Sequence, residues 1–359
     1  MVRRIFFETA RTIVAIGAAF LLALIIIFSV SEDPGFALYH FIVAPLTTMR
    51  YIGNILEMTV PFIFTGLAMS MMFTAKQFNL GAEGGFFIGA VGATAVAITF
   101  EMPPVVLPFF AILAGGIAGG LGSTVPAVLK AKLNASELVS SLMLNFILFW
   151  FGIFLINNYF RDEMAGAMAS YRLNPDARLF RILPGTRLHF GFIIALLFVV
   201  LVYLFLFRTR WGYAIRMTGQ NIKFAEYSGI NTTAVIIYSQ IIGGFLAGIG
   251  GAVELLGMYS RFSWFQSPGY GWDGVIVAIM ARNNPLLIPI FAIFLGYLRI
   301  GADVMARFSD VPSEVVAIIQ GIMIVLVTAE RLLAGWKHRV VVREQMKLEE
   351  LKNGGLNNG

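Results

Sequence analysis

The chain has 359 residues, 58% of them hydrophobic and 13% charged, with a formal net charge of +6 and a mean hydropathy of +0.81. A soluble domain carries about 25% charged residues, so too little charge is present to cover a water-facing surface, and the apolar excess must meet lipid. A soluble enzyme, a disulfide scaffold (there is no cysteine) and a disordered chain are excluded, and the positive balance reads as the cytoplasmic bias of membrane proteins, with no nucleic-acid partner.

A helix crossing the hydrocarbon core needs about 20 mostly apolar residues. In chain order such runs predict spans over residues 12–30, 58–75, 80–100, 105–129, 138–157, 189–207, 234–257, 274–281, 286–302 and 314–329, the eighth too short to cross comfortably. The expected fold is therefore an all-α polytopic membrane protein of about ten transmembrane helices, with a transmembrane domain over 1–335 and a polar tail over 336–359. The first span has a basic start, yet its apolar run exceeds the 7–15 residues of a signal peptide, so it reads as a retained helix. Lys and Arg collect in cytoplasmic connections. With the N-terminus inside, alternation puts 17 of the 26 basic residues on the inner side, Arg3, Arg4, Arg11, Lys76, Lys130, Lys132, Arg208, Arg210 and Lys337 among them, and both termini are cytoplasmic. Five exceptions, Arg161, Arg172, Arg178, Arg181 and Arg187, share one connection over residues 159–188. Long translocated loops obey the rule less strictly.

Helices in lipid associate through small residues. The third span carries Gly81, Gly85, Gly89, Ala93 and Ala97 at intervals of four. The fourth carries Gly115, Gly119 and Ser123, and the seventh carries Gly243, Ala247 and Gly251. These seams predict a tight bundle and need no chemistry. Two turns differ: Gly81-Ala82-Glu83-Gly84 and Gly271-Trp272-Asp273-Gly274 each set a carboxylate among glycines at a helix start. Alternation puts the first at the inner face and the second at the outer face, as in an inverted-topology repeat with spans two to five echoed by seven to ten. Two readings stand for Glu83 and Asp273: a helix-start acid completing a dipole and capping free N–H groups, or a polar group on a translocation path. Asn145, Gln240 and Glu254 carry the same pair of readings, interhelical hydrogen bond or path lining. Asn283 joins the candidates from Arg282-Asn283-Asn284-Pro285, where Pro285 breaks two helical pieces.

Residues 208–231 are too long and mixed for a turn. Gly219-Gln220-Asn221 reads as a helix stop followed by a new N-cap. Ile222, Ala225 and Tyr227 then mark a short amphipathic helix ending at Gly229. It reads either as a helix lying on headgroups or as a docking knob for a cytoplasmic partner. Residues 212–231 resemble the cytoplasmic coupling loop of ABC-importer permeases of the branched-chain amino acid/simple sugar superfamily. Residues 78–85, the run Leu142-Met143-Leu144-Asn145 and residues 269–285 are similar to its nucleoside-type permeases. One departure is Gly85, where many relatives place glutamine, and it weakens any substrate role at that position.

The resemblance implies a bacterial inner-membrane permease subunit that takes no cofactor. Its implied partners are ABC ATPase subunits, a second related permease chain and an extracytoplasmic solute-binding lipoprotein. The sequence contains no Gly-x-x-x-x-Gly-Lys-Ser/Thr phosphate loop, so the chain is not the hydrolase. Gly212, Arg216, Gly219, Asn221, Glu226 and Gly229 are the implied ATPase-coupling residues. Glu83, Asn145, Gln240, Asp273 and Asn283 are the candidate path. Nucleosides lead as cargo, then simple sugars or riboflavin. The rivals are an ion-coupled secondary transporter, in which Glu83 or Asp273 would carry the coupling ion, and a membrane enzyme. The latter is disfavoured because His40, His189 and His338 lie at separate span ends.

Overall fold

The computed structural model describes residues 25–312 together with residues 318 and 321. Nearly all of the predicted last span, most of the first, the basic lead-in and the tail over 336–359 lie outside the described residues. Two compact units emerge, one over residues 45–300 and one combining 1–44 with 301–359. In the second unit Asp310 accepts hydrogen bonds from Ser31 Oγ and Glu32 N, both at 2.6 Å, and His40 stacks on Phe308 at 5.3 Å.

Among the described residues all regular elements are helical. Seven are long and apolar enough to cross a membrane. The main helices are α1 (Met49–Thr74), α2 (Ala82–Thr99), α3 (Val106–Leu133), α4 (Glu137–Leu155), α5 (Gly191–Arg208), α6 (Arg210–Gln220), α7 (Ile222–Tyr227), α8 (Thr232–Met258), α9 (Tyr270–Met280) and α10 (Ile288–Phe308), with shorter helical turns between and before them. The largest departure from expectation is α1, which begins nine residues before the predicted span. Thr48 caps it by accepting from Tyr51 N, and its first turns carry Asn54, half-buried, and Glu57, buried inside the protein rather than exposed to lipid.

The glycine seams bring backbones into direct contact. A Cβ added at Gly119 would strike Gly244 O and lie 2.8 Å from Gly248 Cα, and one at Gly115 would lie 2.7 Å from Gly89 O. Helices α2, α3 and α8 thus meet at a three-way glycine junction, close packing of the kind that holds helices together in lipid. Burial grades outward from it: 89% of the apolar window of α1 is buried, against 28% for the α4 span and for α5. The latter two are the lipid-facing elements.

Helix α9 has 11 residues, about 16 Å of rise, roughly half a hydrocarbon core of about 30 Å. It runs parallel to α1. Phe62 meets Tyr270 edge-on at 5.9 Å, Gly274 packs on Thr65, and Gly66 packs on Val277. It therefore begins beside the midpoint of α1 and proceeds toward the Lys76 end. The irregular stretch before it is tied to the 159–188 connection, which satisfies backbone carbonyls that a helix would have bonded: Phe262 O accepts from Ser170 N at 2.9 Å and Ser260 O from Leu173 N at 2.9 Å.

Candidate functional site

The connection between α1 and α2 folds into a polar knot that gathers four of the five path candidates. Asn79 Oδ1 accepts from Gly81 N at 2.7 Å, closing the turn that starts α2. Asn79 Nδ2 donates to Gln240 Oε1 of α8 at 2.6 Å, while Gln240 Nε2 donates to Gln77 Oε1 at 3.4 Å. From α4, Asn145 Oδ1 accepts from Gly84 N and its Nδ2 donates to Leu80 O, both at 2.9 Å. Ser141 Oγ accepts from Leu80 N at 2.9 Å. Gly84 N, one of the free N–H groups that open any helix, is thus satisfied from α4, and the turn before α2 is tied to α4 and α8.

Glu83 stands in the first turn of α2, yet its carboxylate serves another helix. It accepts from Gly269 N at 2.7 Å, from Gly271 N at 2.5 Å and from Ser267 Oγ. These are the opening N–H groups of α9, whose own N-cap, Gly269 at φ +82, has no side chain to offer. A buried carboxylate against two backbone N–H groups and the positive end of a helix is a strong, charge-assisted arrangement. The two acid-bearing turns expected at opposite faces therefore meet: Gly271 is packed against the Glu83 backbone. The reason is the half-length of α9, which brings its start down to mid-depth. Asp273, one turn into α9 and 3% exposed, pairs with Arg299 Nη2 of α10 at 2.6 Å, and that guanidinium lies over the Phe62 ring at 5.4 Å.

Asn283 is not part of the knot. It sits past the far end of α9, ten residues from Asp273, with a left-handed backbone (φ +54). Its N–H donates to Ala278 O at 2.9 Å, and its buried Oδ1 has no partner among the described residues. Gly85 lies 3.5 Å, as an added Cβ, from Ala247 Cβ and Gly244 O, where its small size lets α2 approach α8.

A second buried cluster was not anticipated. Glu57 of α1, Glu254 of α8 and His189, just before α5, bring ligand-type atoms within 4.8 Å of one another. Glu57 was passed over because it fell in a presumed connection, and each of the three is a lone polar residue in its own run. No local pattern links them. His189 Nδ1 accepts from Gly191 N at 3.1 Å, so the neutral ring carries its proton on Nε2. Burial and then Arg181 push the His189 pKa down to about 4, keeping the ring neutral. The Nε2 of that ring and one carboxylate oxygen of Glu254, Oε2, are buried without a hydrogen-bond partner among the described residues.

The coupling-loop candidates occupy a helix–cap–helix knob at the Lys76 end of the bundle. Thr209 Oγ1 accepts from Gly212 N at 3.1 Å, starting α6. Asn221 Oδ1 accepts from Phe224 N at 3.2 Å, starting α7. Gly229 at φ +79 ends the knob, and Glu226 Oε1 accepts from Thr232 Oγ1 at 2.9 Å, tying it to α8. Gly212 and Gly219 are sites of close approach: a Cβ at the first would strike Phe205 O, and one at the second would strike Thr74 O at the end of α1. Arg216 is half-buried with its guanidinium 4.9 Å over the Phe207 ring. Of the apolar residues of α7, Ala225 alone is buried. Ile222, Phe224 and Tyr227 are exposed, Tyr227 at 92%.

Residues 51–328 match the family described as branched-chain amino acid transport system / permease component. The guanosine ABC transporter permease protein NupP of Bacillus subtilis is 32% identical over 282 residues, covering 78% of this chain and 81% of that protein. The nucleoside ABC transporter permease protein NupB of Lactococcus lactis is 28% identical over 331 residues (89% and 90%). The glucose ABC transporter permease protein TsgB13 of Haloferax volcanii is 29% identical over 333 residues (90% and 86%). With a family match over most of its length and seven helices fit to span a bilayer, this chain belongs to the branched-chain amino acid transport system / permease component family and is a multi-pass membrane permease of the ABC-importer type.

Proposed function

We propose that the chain imports nucleosides as one permease subunit of an ABC transporter, in a ten-span architecture. In this reading residues 1–335 form an inverted repeat, spans two to five echoed by seven to ten, with both termini and the tail over 336–359 in the cytoplasm. ATP hydrolysis belongs to separate ATPase subunits, a second related permease completes the path as a heterodimer, and an extracytoplasmic binding lipoprotein delivers cargo. Glu83, Asn145, Gln240, Asp273 and Asn283 line or gate that path. Gly212, Arg216, Gly219, Asn221, Glu226 and Gly229 build the ATPase contact.

The observation that carries the reading is the knob over residues 221–229. A six-residue helix that turns Ile222, Phe224 and Tyr227 outward presents an apolar patch rimmed by Lys223 and Glu226, the surface of a docking element rather than of a bare loop. Helix α6 abuts the end of α1 at Gly219 without an intervening side chain. Pressure on the knob therefore reaches α1, and through Phe62, Thr65 and Gly66 it reaches α9 and the knot. Nucleosides are favoured over sugars by the guanosine and nucleoside permeases among the relatives, with the glucose relative keeping simple sugars as the second reading. The deciding experiment is reconstitution with the cognate ATPase and binding protein, followed by uptake of labelled guanosine, glucose and riboflavin. ATP-dependent guanosine uptake is expected. Uptake by the purified chain alone under a proton or sodium gradient would replace this reading with an ion-coupled carrier.

A further inference from the structure

We infer that this chain holds one anionic glycerophospholipid in a groove between α3, α5 and α8, with the lipid phosphate on Arg178. The inference needs only that the chain is embedded in a bilayer and is independent of its cargo. The groove has a volume of about 420 Å³. Phe109 and Leu113 of α3, Ile194 and Phe198 of α5 and Phe245 of α8 wall it, with Arg178 at its mouth.

Its dimensions match an acyl chain. The lining residues run from Val105 to Leu113 on α3 and from Phe190 to Phe198 on α5, eight steps or about 12 Å of helix each. One leaflet of hydrocarbon is about 15 Å thick, so the groove descends from the helix ends through most of a leaflet. It opens sideways to the bilayer, since Phe109 is 63% exposed and Leu197 55%. Water would find almost no polar partner in it, and an apolar space of that kind stays dry or takes an apolar guest.

The charge at the mouth selects the headgroup. Arg178 is exposed, and among the described residues its guanidinium has no ion-pair or hydrogen-bond partner. No acidic residue lines the groove. A guanidinium matches phosphate oxygens in bidentate fashion, and with no carboxylate among the lining residues to hold an ammonium headgroup, a net-anionic lipid is favoured over a zwitterionic one. Phe180 and Phe190, stacked at 4.8 Å beside Arg178, supply the amphipathic rim found where headgroups meet hydrocarbon.

The test uses the full chain, delipidated in detergent and titrated with palmitoyl-oleoyl phosphatidylglycerol or the matching phosphatidylcholine, with bound lipid counted by native mass spectrometry. One phosphatidylglycerol retained about fivefold more strongly than phosphatidylcholine is expected, the effect of one basic residue near an anionic headgroup. Arg178→Gln abolishes that preference, Arg178→Lys keeps most of it, and Leu113→Trp, which fills the groove, removes both lipids. Equal retention of the two lipids by the wild-type chain overturns the inference without reliance on any variant. So does an unchanged preference in Arg178→Gln. The same titration on the assembled transporter provides a further check: exclusion of lipid there would assign the groove to a helix of the second permease and also overturn it.

Discussion

Replacing Glu83 with glutamine tests the knot most directly, because the substitution keeps shape while removing charge and one acceptor. The carboxylate accepts from Gly269 N and Gly271 N and from Ser267 Oγ. An amide presents one oxygen and one NH₂, so a backbone N–H of α9 is left facing a donor. A hydrogen bond to a charged group contributes about 1.5–3 kcal/mol, and an orphaned buried donor costs about 1–3 kcal/mol. The lost interaction with the α9 dipole adds up to about 2 kcal/mol. These contributions overlap, and a net loss of about 3 kcal/mol is expected, rising to about 4 kcal/mol for Glu83→Ala, which strips both N–H groups. At about 2–4 °C per kcal/mol, Glu83→Gln should lower the melting temperature by about 6–12 °C in fluorescence-detected size exclusion. Solute uptake, measured well below that temperature, reports separately on any path role. A melting temperature within about 1 °C of wild type would refute the assignment of Glu83 as the cap of α9.

Other outcomes follow from the same geometry. Gly229→Pro forces φ to about −65° where the backbone needs +79, and Glu226→Lys removes the bond to Thr232. Either should uncouple ATP hydrolysis from uptake while membrane insertion, read by fractionation, stays intact. Gly248→Val drives a branched side chain into the backbone of Gly115 and should abolish a monodisperse folded peak, whereas Gly185→Val, at an open loop position where an added Cβ meets nothing within 4 Å, costs only the left-handed strain of about 1–2 kcal/mol. His189 gives a pH signature. Its pKa falls from 6.5 to about 4 on folding, so between those values the unfolded chain binds more protons. Stability is full above pH 6.5 and drops by up to about 3 kcal/mol as pH falls toward 4. Thermal melts of wild type and His189→Gln over that window should diverge on acidification, and parallel curves would refute the buried neutral ring.

What could be read ahead of the structure depended on the range of the interaction. Hydropathy located every described span because burial in lipid is a property of a contiguous run, and the limits missed where polar residues interrupt it, as at Asn54 and Glu57 in α1. The knob was legible to within two residues, since Gly219, Asn221 and Gly229 act on the backbone next to them. The seams were legible as rows of small residues at intervals of four, although not which backbone each row would meet. The partners of Glu83 were out of reach: Ser267, Gly269 and Gly271 lie 184 to 188 positions downstream, and a carboxylate that caps its own helix leaves the same local signature. Glu57, His189 and Glu254 were hidden for the same reason, each isolated in sequence and joined only by the crossing of α1, α8 and the segment before α5.

A helix that starts inside the bundle sets the positive pole of its dipole against the buried Glu83 carboxylate, away from the well-screened ends of full-length spans. Glu83 is the counter-charge, and it is rooted in a different helix. Drawing the start of α9 away from α2 would separate opposite charges in a medium of low permittivity, far more costly than the same motion in water. The two helix starts are therefore bound to travel as one body, and the compliance for any rearrangement falls to the irregular joints flanking α9, residues 259–268 and 281–284.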